Sequence, residues 1–170
     1  MLKGLDGTEE KYEESPEEDF GDEVLLNTHA DVSSMLFGEI EKLADGHSLV
    51  RLQTTSIMTT DKSGMIHSGF LFNSADYAAM ISINERNVIL IGSSTTFFSP
   101  VRLGDVVEFE ATVRHKEGRK RDISVVGTVE GIKVFKGEFR VVITDTHILN
   151  IDLIGIVEKG IGRKIEQDRI

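Results

Sequence analysis

The sequence predicts an α+β fold, a curved antiparallel β-sheet wrapped around one long helix, and three observations carry that expectation. The stretch from Phe70 to Ile83, FLFNSADYAAMISI, is almost wholly apolar, lacks proline and is too long for an ordinary strand. Four later runs, Val88 to Phe98, Asp105 to His115, Ile123 to Val129 and Val134 to Thr144, are rich in the β-branched and aromatic residues that suit a pleated surface. The last three are joined through Glu117-Gly118 and Glu130-Gly131, short glycine turns of the hairpin kind. A helix that is apolar on every face needs cover on every side, and a sheet curling around it supplies that cover.

In chain order, residues 1–24 read as an acidic, disordered tail. Ten acidic side chains between Asp6 and Glu23 face only Lys3 and Lys11, so most of the net charge of -10 sits there. Such a segment buries too little apolar surface to offset its ordering entropy. The folded domain is expected over residues 25–148. Asp31 can cap a helix in which Val32, Met35, Leu36, Ile40 and Leu43 recur at three- and four-residue spacing, with Gly46 ending it. The run from Leu49 to Thr59 then reads as a strand, broken by Asp61-Lys62-Ser63-Gly64. After the turn His67-Ser68-Gly69 come the buried helix and the four strands. Residues 149–170 mix Ile, Leu, Gly and charge, and fit a helix, an added strand or a partner arm equally.

Composition excludes several functions. The chain has 170 residues, 39% of them hydrophobic and 28% charged, enough for one domain with a real core. It has no cysteine, and its five histidines, at 29, 47, 67, 115 and 147, are scattered, so neither a disulfide framework nor a metal site is expected. No run reaches the roughly 18 apolar residues that would span a bilayer, and the first thirty residues do not resemble a secretion signal, so the cytoplasm is the expected compartment. The acidic tail would repel nucleic acid, and no reading helix or stacking aromatics accompany the one basic cluster.

Within the apolar helix stands one carboxylate, Asp76. A buried acid costs several kcal/mol unless it is paired or used, which makes it the first candidate for chemistry. Its structural alternative is an acid hydrogen-bonded to backbone or to a neighbouring serine. Asn73, three residues earlier, shares its face. At the helix start, the amides of Ser68 and Gly69 lack intrahelical partners and lie at the positive end of the helix dipole. His67 either acts in proton transfer or simply orients the turn. Phe70, Phe72, Tyr77 and Met80 read as core.

The segment HSGFLFNSADYAA resembles the His-Gly-Gly motif of hotdog-fold acyl-CoA thioesterases, in particular the phenylacetate-pathway type, where a catalytic Asp follows on the central helix at this interval. Downstream, FFSPVRLGDVVEFEATVRHKEGRKR is similar to the stretch of those proteins that carries Pro, then Leu-Gly-Asp, then a strand and a Gly-Arg turn. The resemblance covers about residues 50–145. It implies a hotdog fold, at least a homodimer, and a thioester ligand carried by coenzyme A or an acyl carrier protein, with coenzyme A as part of the substrate and no further cofactor. It also implies the roles: Asp76 as base or nucleophile, the Ser68 and Gly69 amides as oxyanion donors beside His67, Asn73 holding a water or the acyl carbonyl, and acid and amide coming from different subunits. Ser68 departs from the family's glycine, so a module that binds acyl-CoA without turnover stands beside the enzyme. Arg119, Lys120 and Arg121, at a hairpin tip with Arg114 and Lys116, suit the phosphates of coenzyme A or, alternatively, a solvated turn.

Overall fold

The computed structural model describes residues 24–150. Two helices, α1 (Ser34–Phe37) and α2 (Ser68–Ile83), accompany six strands: β1 (Glu39–Ala44), β2 (His47–Gln53), β3 (Val88–Phe97), β4 (Val106–Glu117), β5 (Lys120–Val129) and β6 (Ile132–Ile143). The strands form one antiparallel sheet in the order β1-β2-β4-β5-β6-β3, and α2 touches all six, which requires the sheet to curl about the helix. This is the hotdog architecture expected. Ala75, Ala78 and Ala79 on α2 are fully buried and let the helix sit close to Val50, Leu52, Phe109, Ile123, Val125 and Phe135 on the strands. The acidic tail expected over residues 1–24 lies outside the described residues except for Val24; of the C-terminal extension expected over residues 149–170 only Leu149 and Asn150, in the 3-10 turn Ile148–Asn150, are described.

The hairpins follow the sequence closely. Glu117 pairs with Lys120 across Gly118-Arg119, and Val129 with Ile132 across Glu130-Gly131, where φ values of 48° and 79° give the doubly left-handed turn that matches strand twist. Helix α2 begins two residues before the apolar run because His67 caps it. It ends at Asn84 in the left-handed conformation, whose side chain donates to the Leu25 carbonyl and accepts from the Asn27 amide. These bonds tie the N-terminal segment to the end of α2, and Phe37 packs edge-on against Tyr77 nearby.

The first predicted helix is a correction. Its residues form only the one-turn α1, which starts after Ser33 rather than Asp31 and without a side-chain cap, and then strand β1. Gly38 ends the turn at φ 94°, and a Cβ there would lie 2.7 Å from Val50 Cγ1 and 2.8 Å from the Arg51 carbonyl oxygen. In β1, register slips between Ile40 and Lys42, so Glu41 is the extra residue of a bulge, and Ile40 and Leu43 both pack on the core. Their three-residue spacing comes from that bulge, not from a helix. The strand expected from Leu49 to Thr59 also stops early, at Gln53. Thr54 is drawn out by hydrogen bonds from its amide to Asp105 and its hydroxyl to Arg102 and Asp105, and the 3-10 turn Ser56–Met58 then buries Met58.

Candidate functional site

The N-terminus of α2 opens onto a cleft of about 460 Å³ lined by Thr60, Met65, Ile66, His67, Ser68, Leu71 and the segment Phe97 to Val101. Two paths of chain meet here. One is the helix start, held by hydrogen bonds from the His67 amide to the Met58 carbonyl and from the Ile66 amide to the Val101 carbonyl. The other is the end of β3, where the Phe97 ring stands edge-on to Phe135. The walls are mainly apolar, and no carboxylate, lysine or arginine lines them.

The His67 ring caps the helix, its Nδ1 accepting the Gly69 N–H at 2.9 Å. An accepting Nδ1 carries no proton, so the neutral ring holds its proton on Nε2. The cap explains why residue 69 is glycine: a Cβ there would stand 2.8 Å from that nitrogen. Of the two amides expected to be open, Gly69 is therefore engaged. The Ser68 N–H meets no acceptor among the described residues and lies at the cleft.

Asp76 lies eight residues along α2 from Ser68, roughly 12 Å at the usual helical rise. With Phe72, Asn73 and Ile83 it forms the half-buried face of a helix whose other sides are covered. Its Oδ1 is buried without a hydrogen-bond partner among the described residues, and burial pushes the carboxyl up to about 6. The structural alternative, an acid satisfied by backbone or serine, is not what this oxygen displays. Ser74 does not relieve it, its own hydroxyl being likewise buried and unpaired among the described residues. Within one protomer Asp76 does not line the cleft.

The basic hairpin lies at the opposite end of α2. Lys116 and Arg121 line a small hollow with Ser82, Ile83 and Glu85, a helix length away from Ser68. Arg119 is paired with Asp145, Arg121 donates to the carbonyls of Gly118 and Lys120, and Lys116 reaches to 4.0 Å from Asp45. Among the described residues Lys120 forms no ion pair, and no cluster of acids and histidines suited to a metal occurs. No described helix is long and apolar enough to cross a membrane. The cleft wall of Phe97, Phe98 and Met65 was not singled out from the sequence; adjacent aromatics just before a proline were the signal available.

Comparison with known proteins agrees with this architecture. Residues 63–135 match the model of the thioesterase superfamily. The structure of Cj0977 from Campylobacter jejuni, described as a sigma28-regulated virulence protein, is 41% identical, covers 72% of this chain and 95% of its own, and superposes with a TM-score of 0.71. A hypothetical thioesterase from Streptococcus pneumoniae, solved with coenzyme A, is 26% identical over 64% of this chain and 87% of its own, with a TM-score of 0.58. A methylthioribose-1-phosphate isomerase of Aquifex aeolicus is 38% identical over 114 residues, which are 67% of this chain, and the chain spans only about a quarter of that relative's length. By its fold, its helix-start motif and these matches, the chain belongs to the thioesterase superfamily of hotdog proteins.

Proposed function

We propose that the protein hydrolyses acyl thioesters, with Asp76 activating the attacking water and the Ser68 amide receiving the oxyanion. The observation that carries this reading is the unpaired, buried Oδ1 of Asp76, whose carboxyl sits at about 6. A base in that range is ionised at neutral pH and still basic enough to accept a proton from water. Water oxygen attacks the carbonyl carbon, Asp76 takes its proton, the negative charge gathers on the carbonyl oxygen beside the Ser68 N–H, and the C–S bond breaks. The same proton passes to the departing sulfur. Asn73, one turn earlier on the same face, holds the water. The apolar cleft suits an acyl group, and the pneumococcal thioesterase solved with coenzyme A supports coenzyme A as the thiol carrier.

Acid and amide act together when two chains associate. Strand β3 is bonded on one side only, and VILIGSSTTF carries no charge to discourage pairing, whereas the other edge, β1, carries Glu39, Glu41 and Lys42. A second copy paired at β3 brings each cleft a partner chain, and we assign Asp76 of one chain to the Ser68 cleft of the other. One observation favours the alternative of binding without turnover: with the Gly69 amide engaged by His67, only one backbone donor remains, and it carries a side chain at the approach. Purified protein assayed against acyl-CoAs of graded length, with binding measured alongside, decides between them. Turnover that falls at least about a hundredfold in Asp76→Asn while binding persists supports hydrolysis; tight binding by the wild type with no turnover overturns it.

A further inference from the structure

We propose that Lys133, with Arg102 across the opening, binds the phosphates of coenzyme A at the mouth of the Ser68 cleft. The inference rests on the thioester reading above and departs from the hairpin cations that the sequence nominates. The cleft itself holds no cationic side chain, so an anionic carrier must leave its phosphates outside while the acyl end lies among Leu71, Phe97 and Phe98. The rim supplies what the interior lacks. The Lys133 ammonium stands 5.9 Å from the centroid of the Phe98 ring, and the Phe98 amide donates to the Val134 carbonyl at 2.9 Å, which ties the tip of the β5–β6 hairpin to the opening. Arg102 is exposed beside the cleft, its backbone bridged antiparallel to Met65, a wall residue, and next in sequence to Val101.

Both cations lack a carboxylate within ion-pair distance among the described residues. Of the hairpin cations Lys120 is likewise without an ion pair among the described residues, but two others are already engaged. Arg119 is held by Asp145 and Arg121 by turn carbonyls, and recruiting either for a phosphate means breaking bonds already made. They also stand a helix length from Ser68. Phe98 is 54% exposed, so the lip formed by its ring and the Lys133 ammonium presents an apolar and a cationic face together. That pairing matches a ligand apolar at one end and multiply anionic at the other.

Titration of the full chain with free coenzyme A, with its 3′-dephospho form and with pantetheine tests the assignment without the complication of turnover. Lys133→Met keeps an apolar stem over Phe98 while removing the charge. We expect it to weaken coenzyme A about tenfold and flatten the salt dependence of binding, to leave pantetheine unchanged, and to be rescued by Lys133→Arg. Arg102→Met acts in the same direction, and Lys120→Met has no effect. Unchanged coenzyme A affinity in Lys133→Met overturns the proposal. So does an equal loss for pantetheine, which would mean altered packing at Phe98, and so does a wild type that binds all three ligands equally, the outcome expected of an arm presented by a carrier protein. A wild type that binds none of them removes the thioester reading itself, and this site with it.

Discussion

Asp76 sets stability against chemistry in one side chain. Its carboxyl is raised from 3.8 to about 6 by burial, so the folded chain holds this proton more tightly than the unfolded chain does. Stability linked to the group is greatest below about pH 4, declines as the pH rises through 6, and stays lower above it. Asp76→Asn removes the titration. The variant is therefore expected to gain stability relative to wild type at pH 7.5, by at most about 3 kcal/mol for a shift of this size, and to show little gain at pH 4. Urea denaturation at the two pH values measures it, and an equal effect at both would refute the linkage. The same shift fixes the chemistry: if Asp76 is the base, the rate of thioester hydrolysis in wild type rises with pH through about 6 and then levels. A stabilising substitution that abolishes turnover is the behaviour expected of a functional acid, and not of a structural one.

At the scale of elements, legibility followed how local each signal was. Helix α2 announced itself through an apolar run that no strand would carry, and two hairpins through glycine turns flanked by β-branched residues. Strand β1 did not, because the bulge at Glu41 puts Ile40 and Leu43 on one face at a helical interval, and only pairing with β2 reveals which periodicity is meant. Gly38 is the residue that decides it. At φ 94° and with Val50 and the Arg51 carbonyl against its Cα, it halts α1 and starts the strand. Gly38→Ala adds both backbone strain and a steric clash, and a loss of about 2–4 kcal/mol is expected in equilibrium unfolding; a loss below about 0.5 kcal/mol would mean the turn relaxes freely. The site divides in the same way. The helix-start motif and Asp76 lie within ten residues of one another and were readable. The cleft wall was not, because the chain from Phe97 to Val101 reaches Ser68 through long-range contacts, the pairing of β3 with β6 and the bond from the Ile66 amide to the Val101 carbonyl, and the Arg119 partner, Asp145, comes from 26 residues downstream.

For the whole molecule, the separation of Asp76 from the cleft of its own protomer turns assembly into a question about chemistry. Ser68 is the first residue of α2, the helical position where proline is best tolerated, and His67 before it has φ -65° and ψ 129°, a conformation compatible with a following proline. Ser68→Pro therefore deletes the proposed oxyanion donor with little cost to the helix. Asp76→Asn deletes the acid. Each variant alone is expected to be inactive, while a mixture refolded together contains heterodimers in which one of the two sites draws an intact amide from one chain and an intact acid from the other. With random pairing, half of the dimers are mixed and half of their sites are whole, so about a quarter of wild-type activity should return. Sedimentation checks that the refolded mixture is dimeric, and unfolding curves check that both variants are folded. If acid and amide instead served the same protomer, every site in the mixture would lack one of them, and no activity would return at any mixing ratio.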